Sequence, residues 1–235
     1  VALLTAMCDL GGVWTLFQVT RALSEFAERA VRTATAFHLR RRAELGDIDL
    51  PYPDDPERGS GLVIIGMGKL GASELNYSSD IDLVVFFDEQ VIRTTGNRFP
   101  RDIYSRVVHG IVKALQERTA EGYVFRTDLR LRPDAGATPV AMSMATAEVY
   151  YESLGQNWER AAMIKARTIA GDFEAGRNFL HRLAPFIWRK NLDFAAIADI
   201  HSIKRQIHAA KGHKAIAVAG HDIKVGAGGI REIEF

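Results

Sequence analysis

The chain has 235 residues, 47% hydrophobic and 25% charged, with 30 Lys and Arg against 29 Asp and Glu for a formal net charge of +1. That length can bury a sizeable core, and the near-neutral balance argues against a general nucleic-acid or anionic-membrane surface. The single cysteine, Cys8, excludes an internal disulfide or a cysteine-rich zinc site and fits a reducing, cytoplasmic setting.

No apolar run approaches the ~20 residues that span a bilayer, so no membrane association is expected. The opening Val1-Ala2-Leu3-Leu4 has neither the Met nor the basic start of a signal peptide, and "GGIREIEF" closes on an amphipathic pattern. The chain is expected to be a piece of a longer protein.

Residues 1–50 read as an N-terminal helical segment. Leu16, Val19, Leu23, Phe26, Ala30, Thr33 and Phe37 recur at steps of three and four and predict a packing seam. The following "RRRAE" reads as a solvated helix end. Residues 51–60, rich in proline and acids, read as a linker. Within 61–142, "LVIIG" (62–66) and "DLVVFFD" (82–88) predict buried strands. A helix over 101–121 carries Ile103, Val107, Val108, Ile111, Val112 and Leu115 on one face. "YVFRTDLRLRP" (123–133) alternates strictly, predicting a strand with Phe125, Thr127, Leu129 and Leu131 on one face and Arg126, Asp128 and Arg130 on the other. "TPVAM" (138–142) adds a short strand partner.

Residues 143–235 read as helical. Ser143 is the predicted N-cap of a helix that stops at Gly155. "WERAAMIKART" and "DFEAGRNFLHRLAPF" continue the pattern to a break at Pro185, with Trp158 expected in the core. Phe194, Ile197, Ile200, Ile203 and Ile207 mark one side of a further helix. The expected fold class is therefore α+β: a small mixed β-sheet core flanked by N-terminal helices and a C-terminal helical region.

Residues 66–88 hold two functional signatures. Gly66-Met67-Gly68-Lys69-Leu70-Gly71 spells the glycine pattern of a dinucleotide turn, with Asp88 placed to hold a ribose. The segment between fails that reading. A crossover helix from Lys69 meets "NYSSD" after about two turns, short of the ~10–12 residues a parallel crossover needs. The carboxylates explain more. Asp80 and Asp82 straddle Ile81, so both point to one face of an extended chain, while Ile81 and Leu83 point to the core. Oxygen ligands of this kind suit Mg²⁺. If the strand carrying Asp128 neighbours theirs, three carboxylates converge and can hold two Mg²⁺ ions for in-line displacement at phosphorus. The glycines Gly66 and Gly68 then let backbone N–H groups approach phosphate oxygens. Lys69 adds charge, and Ser78 and Ser79 add hydroxyl donors.

The order Gly66-x-Gly68, Asp80-Ile81-Asp82 and Asp128 resembles the DNA polymerase β-like nucleotidyltransferase superfamily, except that Lys69 stands where Gly or Ser is usual. "GMGKLGASELNYSSDIDLVVFF", "FRTDLRLRP", "YYESLGQNWERAAMIKAR" and "DIKVGAGGIREIEF" together resemble the glutamine synthetase adenylyltransferase family from about Gly61 to Phe235. The last two motifs are similar to its N-terminal, deadenylylating half. The resemblance implies a nucleotidyltransferase core that removes AMP from a glutamine synthetase tyrosine by phosphorolysis. Phosphate attacks the α-phosphorus of tyrosyl-AMP, releasing ADP and the free tyrosine.

On that resemblance Asp80, Asp82 and Asp128 hold two Mg²⁺ ions. Arg130 is the first candidate for the attacking phosphate or the α-phosphoryl charge, and Lys165 or Arg167 are secondary phosphate candidates. Arg126 and Arg132 either join Arg130 or neutralise nearby acids. Implied partners are glutamine synthetase, ADP or ATP, a PII-type signal protein and a C-terminal adenylylating half. The alternatives are ATP-dependent adenylylation, or a non-catalytic domain that binds glutamine synthetase or the PII protein.

Overall fold

The computed structural model describes residues 1–95, 98–188, 198, 201, 202, 205, 220–224, 226 and 228–230. In chain order the elements are α1 (Ala2–Leu10), α2 (Leu16–Glu44), β1 (Ile48–Asp49), β2 (Leu62–Gly66), α3 (Gly68–Gly71), β3 (Ile81–Phe87), β4 (Arg93–Thr94) and α4 (Pro100–Gln116). They continue as β5 (Thr127–Asp128), β6 (Ala141–Ser143), α5 (Met144–Ser153), α6 (Asn157–Met163), β7 (Arg167–Gly171), α7 (Phe173–Arg182) and α8 (Ala184–Ile187).

The class is α+β, as expected. The central sheet is mixed, with order β5-β3-β2-β7. β2 pairs antiparallel with both β3 and β7, and a bulge interrupts the second pairing between Ile64 and Ile65. The other edge of β3 takes two parallel partners in tandem. β5 pairs at Ile81 and Asp82, and β6 pairs at Val85 to Phe87. β1 and β4 form a separate two-stranded ribbon.

Both faces of the sheet are covered, which is why β2 and β3 read as nearly unbroken apolar runs. Leu62, Ile64, Leu83, Val85 and Phe87 pack with α2 and α4 on one face. Val63, Ile65, Val84 and Phe86 pack on the other with Met144, Tyr151, Phe179 and Leu183 from the α5–α8 region. On α4, Tyr104 joins the predicted apolar face; it is fully buried and donates its hydroxyl to the Ser60 carbonyl.

Three expectations are corrected. The buried line of α2 runs through Val19, Leu23, Ala27, Val31, Thr35 and Leu39, leaving Leu16 and Phe37 exposed. Steps of four advance by about 40° around the axis, so this line winds as α2 passes from neighbour to neighbour, and the small Ala27 and Thr35 allow close approach. The strand predicted over 123–133 keeps only Thr127 and Asp128. Beyond them Arg130 folds back on Asp128, and Arg132 donates to the carbonyls of Leu129 (2.8 Å) and Ala135 (2.7 Å), closing a turn. The helical reading of "WERAAMIKART" also fails at its end: α6 stops at Met163, and Arg167–Gly171 becomes an edge strand. Trp158 is exposed, whereas Glu159 and Arg160 beside it are buried.

Ser143 does cap α5, accepting from the Thr146 amide at 3.3 Å, and the helix ends at Ser153. The helix predicted around Phe194 to Ile207 falls mostly outside the described residues. No helix among the described residues is long and apolar enough to cross a membrane.

The proline-rich stretch 51–60 is fastened to the core. The buried Glu57 accepts the Gly171 amide at 2.7 Å and the Arg32 Nε at 3.0 Å, tying that stretch to β7 and α2. Glu57→Ala should leave the Gly171 N–H unpaired and lower unfolding free energy by about 2–3 kcal/mol, read as a lower midpoint in urea. An unchanged midpoint would show that the contact contributes nothing.

Candidate active site

The site is built where β2 ends and β3 begins. After β2 the chain passes Met67 and turns at Gly68, whose φ of +52° lies in the left-handed region that favours glycine. The Met67 amide donates to the Asp82 carbonyl at 2.9 Å, so the turn is held directly beside the carboxylates. A Cβ at Gly68 would stand 3.1 Å from Asp82 Oδ2, so hydrogen at this position leaves that oxygen open to the cavity. The helix that follows is one turn, Gly68–Gly71, far too short for a dinucleotide crossover.

Ile81 is fully buried and anchors the start of β3, leaving Asp80 and Asp82 on either side of it. The parallel register places Asp128 directly across from Asp82. One cavity of about 780 Å³ is lined by Asp80, Asp82, Asp128, Gly68, Lys69, Ser78, Ser79, Arg126, Arg130 and, from much later in the chain, Lys224 and Ile230.

The three carboxylates have different surroundings. Asp80 pairs with Arg126 Nε at 2.5 Å, and the same guanidinium donates to the Ser78 carbonyl (2.9 Å) and the Tyr123 hydroxyl (3.0 Å). Asp128 takes Arg130 Nε at 2.9 and 3.0 Å and the Arg130 amide at 2.8 Å. These bonds, led by the guanidinium, hold the Asp128 carboxyl below its ordinary value. The Asp82 carboxylate accepts no hydrogen bond among the described residues. Burial first, then the negative charges of Asp128 and Asp80, push it up to about 6, against the weaker opposing pull of Lys224 and Arg130.

A half-buried acid repelled by two neighbours and without an ion-pair partner among the described residues fits a divalent cation, and the oxygen-only donor set suits Mg²⁺. Among the described residues no three acids stand in a preassembled metal cluster. Arg126 and Arg130 supply the positive charge on Asp80 and Asp128 instead.

The remaining predicted residues divide. Gly68, Lys69, Ser78 and Ser79 reach the cavity. Gly66 does not: it is buried in β2, where a Cβ would stand 2.9 Å from Ile169 Cγ2 and 3.2 Å from Leu70 Cγ. It serves packing between turn and strand. The Ser79 hydroxyl is engaged with Asn76 Oδ1 at 2.5 Å, and Ser78 presents its carbonyl to Arg126. Arg130, the first phosphate candidate, is committed to Asp128. Lys165 pairs with Glu74 at 3.2 Å, and Arg167 binds Glu28 and the carbonyls of Leu70 (3.2 Å) and Gly71 (3.0 Å). Both brace the back of the glycine turn, and neither lines the cavity. Lys224 escaped the sequence reading: its approach to the acids is purely tertiary, although it belongs to the motif "DIKVGAGGIREIEF" that carries part of the resemblance.

A family model for glutamate-ammonia ligase adenylyltransferase (GlnE) matches residues 1–182. The chain belongs to this family. It is 55% identical over 234 residues to a bifunctional glutamine synthetase adenylyltransferase/adenylyl-removing enzyme of Rhodopseudomonas palustris, a match covering 100% of this chain and 24% of the relative. Relatives with the same description in Bartonella henselae and Rhizobium meliloti are each 57% identical, over 99% and 100% of this chain and again 24% of their own length. The GlnE-family chain thus spans about a quarter of the curated relatives it matches.

Proposed function

We propose that this GlnE-family region removes AMP from a tyrosine of glutamine synthetase by phosphorolysis. The observation that carries the reading is the convergence of Asp80, Asp82 and Asp128 beside the Gly68 turn. The relatives' description names adenylyl removal as one of two activities, and the C-terminal motifs resemble the removing half.

An oxygen of inorganic phosphate attacks the α-phosphorus of tyrosyl-AMP. The bond from that phosphorus to the tyrosine oxygen breaks, the phenolate takes up a proton, and ADP departs. Phosphate is already an anionic nucleophile and the phenol, with a pKa near 10, is a tolerable leaving group. No covalent intermediate is needed, so positioning and charge neutralisation carry the reaction. Asp80, Asp82 and Asp128 would hold Mg²⁺, two ions in the fullest arrangement. Bound there, the metal would neutralise charge on the phosphoryl oxygens. Gly68 keeps the chain low beside Asp82, and Lys69 offers charge to the phosphates. Arg126 and Arg130 hold Asp80 and Asp128 in place.

In this reading the remaining three quarters of the polypeptide supplies the adenylylating half and the surface that meets a PII-type signal protein. The forward reaction, AMP transfer from ATP, is the second reading, favoured by the adenylyltransferase description of the family model.

Adenylylated glutamine synthetase incubated with the full-length protein, Mg²⁺ and phosphate should release ADP only when phosphate is present, and Asp80→Asn should abolish that release. AMP incorporation from ATP that is lost in Asp80→Asn, with no phosphate-dependent ADP, would assign this region the forward reaction. Neither activity would leave it a binding domain.

A further inference from the structure

Among the described residues, four cationic side chains line the cavity: Lys69, Arg126, Arg130 and Lys224. Two are committed, Arg126 to Asp80 and Arg130 to Asp128, each through guanidinium hydrogen bonds. Among the described residues, Lys69 and Lys224 make no ion pair. They come from opposite parts of the chain. Lys69 sits on the one-turn α3 after the left-handed Gly68, and Lys224 lies in the glycine-rich C-terminal segment.

Lys224 is placed by a local device. Its amide donates to Asp222 Oδ1 at 3.0 Å, the Gly226 amide returns to the Asp222 carbonyl at 2.7 Å, and the Ile230 amide to the Ile223 carbonyl at 2.8 Å. This fold-back brings Lys224 and Ile230 to the same cavity wall. An exposed ammonium that makes no ion pair among the described residues, facing a cluster of carboxylates, is a point charge suited to a phosphate. Arg130 commits Nε and Nη2 to Asp128 and keeps Nη1 for any other ligand, so the two lysines are the cavity's unshared charges among the described residues.

We infer that Lys224 is a phosphate-binding residue of this site and, together with Lys69, holds the attacking inorganic phosphate. The inference rests on the phosphorolytic reading above. It assigns the nucleophile to ammonium groups on two walls of the cavity and leaves the arginines to position the carboxylates.

The test uses the full-length protein and three variants, Lys224→Ala, Lys224→Arg and Arg58→Ala. Arg58 lines a separate cavity with Asp88 and Gly171 at the far end of β3. With Mg²⁺ present, inorganic phosphate binding is measured by isothermal titration, and ADP release is followed against phosphate concentration. Lys224→Ala should weaken phosphate binding and raise the KM for phosphate by at least ~10-fold, the order of one charge-assisted contact. The KM for adenylylated glutamine synthetase should stay unchanged. Lys224→Arg should restore most of the binding, and Arg58→Ala should match wild type.

Equal phosphate affinity in wild type and Lys224→Ala would overturn the inference, as would a wild-type protein that binds no phosphate. A fall in kcat with KM for phosphate unmoved would overturn it too. Wild-type binding that depends on Lys224 without any ADP release would instead refute the phosphorolytic reading and leave Lys224 as a phosphate site.

Discussion

Asp82→Asn is expected to make the protein more stable and inactive at once. The Asp82 carboxyl is pushed up to about 6 in the folded state because it is half-buried beside Asp128 and Asp80. Its unfolded value is near 4, so between about pH 4 and 6 the folded state binds more protons than the unfolded one. Stability therefore falls as pH rises through that window, and the cost is fully present above it. The shift corresponds to about 3 kcal/mol, and partial solvent access reduces this to about 1–2 kcal/mol. Asparagine removes the charge, so Tm at pH 7.5 should rise by a few degrees. Below pH 4 the two proteins should converge. Turnover should drop roughly 10³-fold, because the carboxylate is proposed to hold the metal. Mg²⁺ should raise the wild-type Tm and leave that of Asp82→Asn nearly unmoved. Parallel pH–stability curves for the two proteins would remove the electrostatic account, and near-normal turnover in the variant would remove the metal role.

The second large effect is at Gly71. A Cβ there would stand 1.9 Å from the Lys165 carbonyl oxygen and 2.5 Å from that of Gly66. Both obstacles are backbone, so no side chain can swing aside. Gly71→Ala must push the glycine turn away from the segment leading into β7, where Arg167 already grips the Gly71 and Leu70 carbonyls. A loss of at least ~3 kcal/mol is expected, in the range of severe overpacking, read as a lowered urea midpoint or an insoluble product. Gly136→Ala is the matched control, since its nearest obstacle is Asp134 Oδ1 at 3.9 Å. If Gly71→Ala unfolds no more easily than that control, the turn and β7 are not locked together.

The third glycine of the G-x-G-x-x-G pattern thus has a packing role like the one it plays in a dinucleotide turn, in a site with a different arrangement of acids. That explains why the pattern alone misleads. What distinguishes the sites is the length of the helix after it and the spacing of Asp80 and Asp82, both legible in the sequence. β2, β3 and α4 were equally legible, because burial on both faces leaves an unbroken apolar run and burial along one stripe leaves a helical period. β5 was over-read: the alternation of 123–133 persists past Asp128, but hydrogen bonds from Arg130 and Arg132 bend the chain into a turn. β7 was missed because "RTIAG" follows α6 without a proline or glycine to mark the change. The seam of α2 was displaced because its partners change along its length, which local spacing cannot encode. Gly66 had the right composition for a phosphate loop and the wrong surroundings, being packed on Ile169. Lys224 lies 96 residues beyond Asp128 in the chain, and its place in the same cavity is a tertiary fact that local spacing does not encode.

β7 also sets the order in which the molecule can be assembled during synthesis. Arg167, which binds the Gly71 carbonyl, comes 96 residues after it. At the usual ribosomal rate of ~5–20 residues per second, the glycine side of the site waits about 5–20 s for its brace. During that interval β2 has β3 on one edge and an open hydrogen-bonding edge on the other, available to any passing strand. The nascent chain is most prone to mispairing while the stretch between Gln116 and Arg167 emerges, so slowing or pausing translation there is expected to decrease the yield of active protein more than pausing after Gly171.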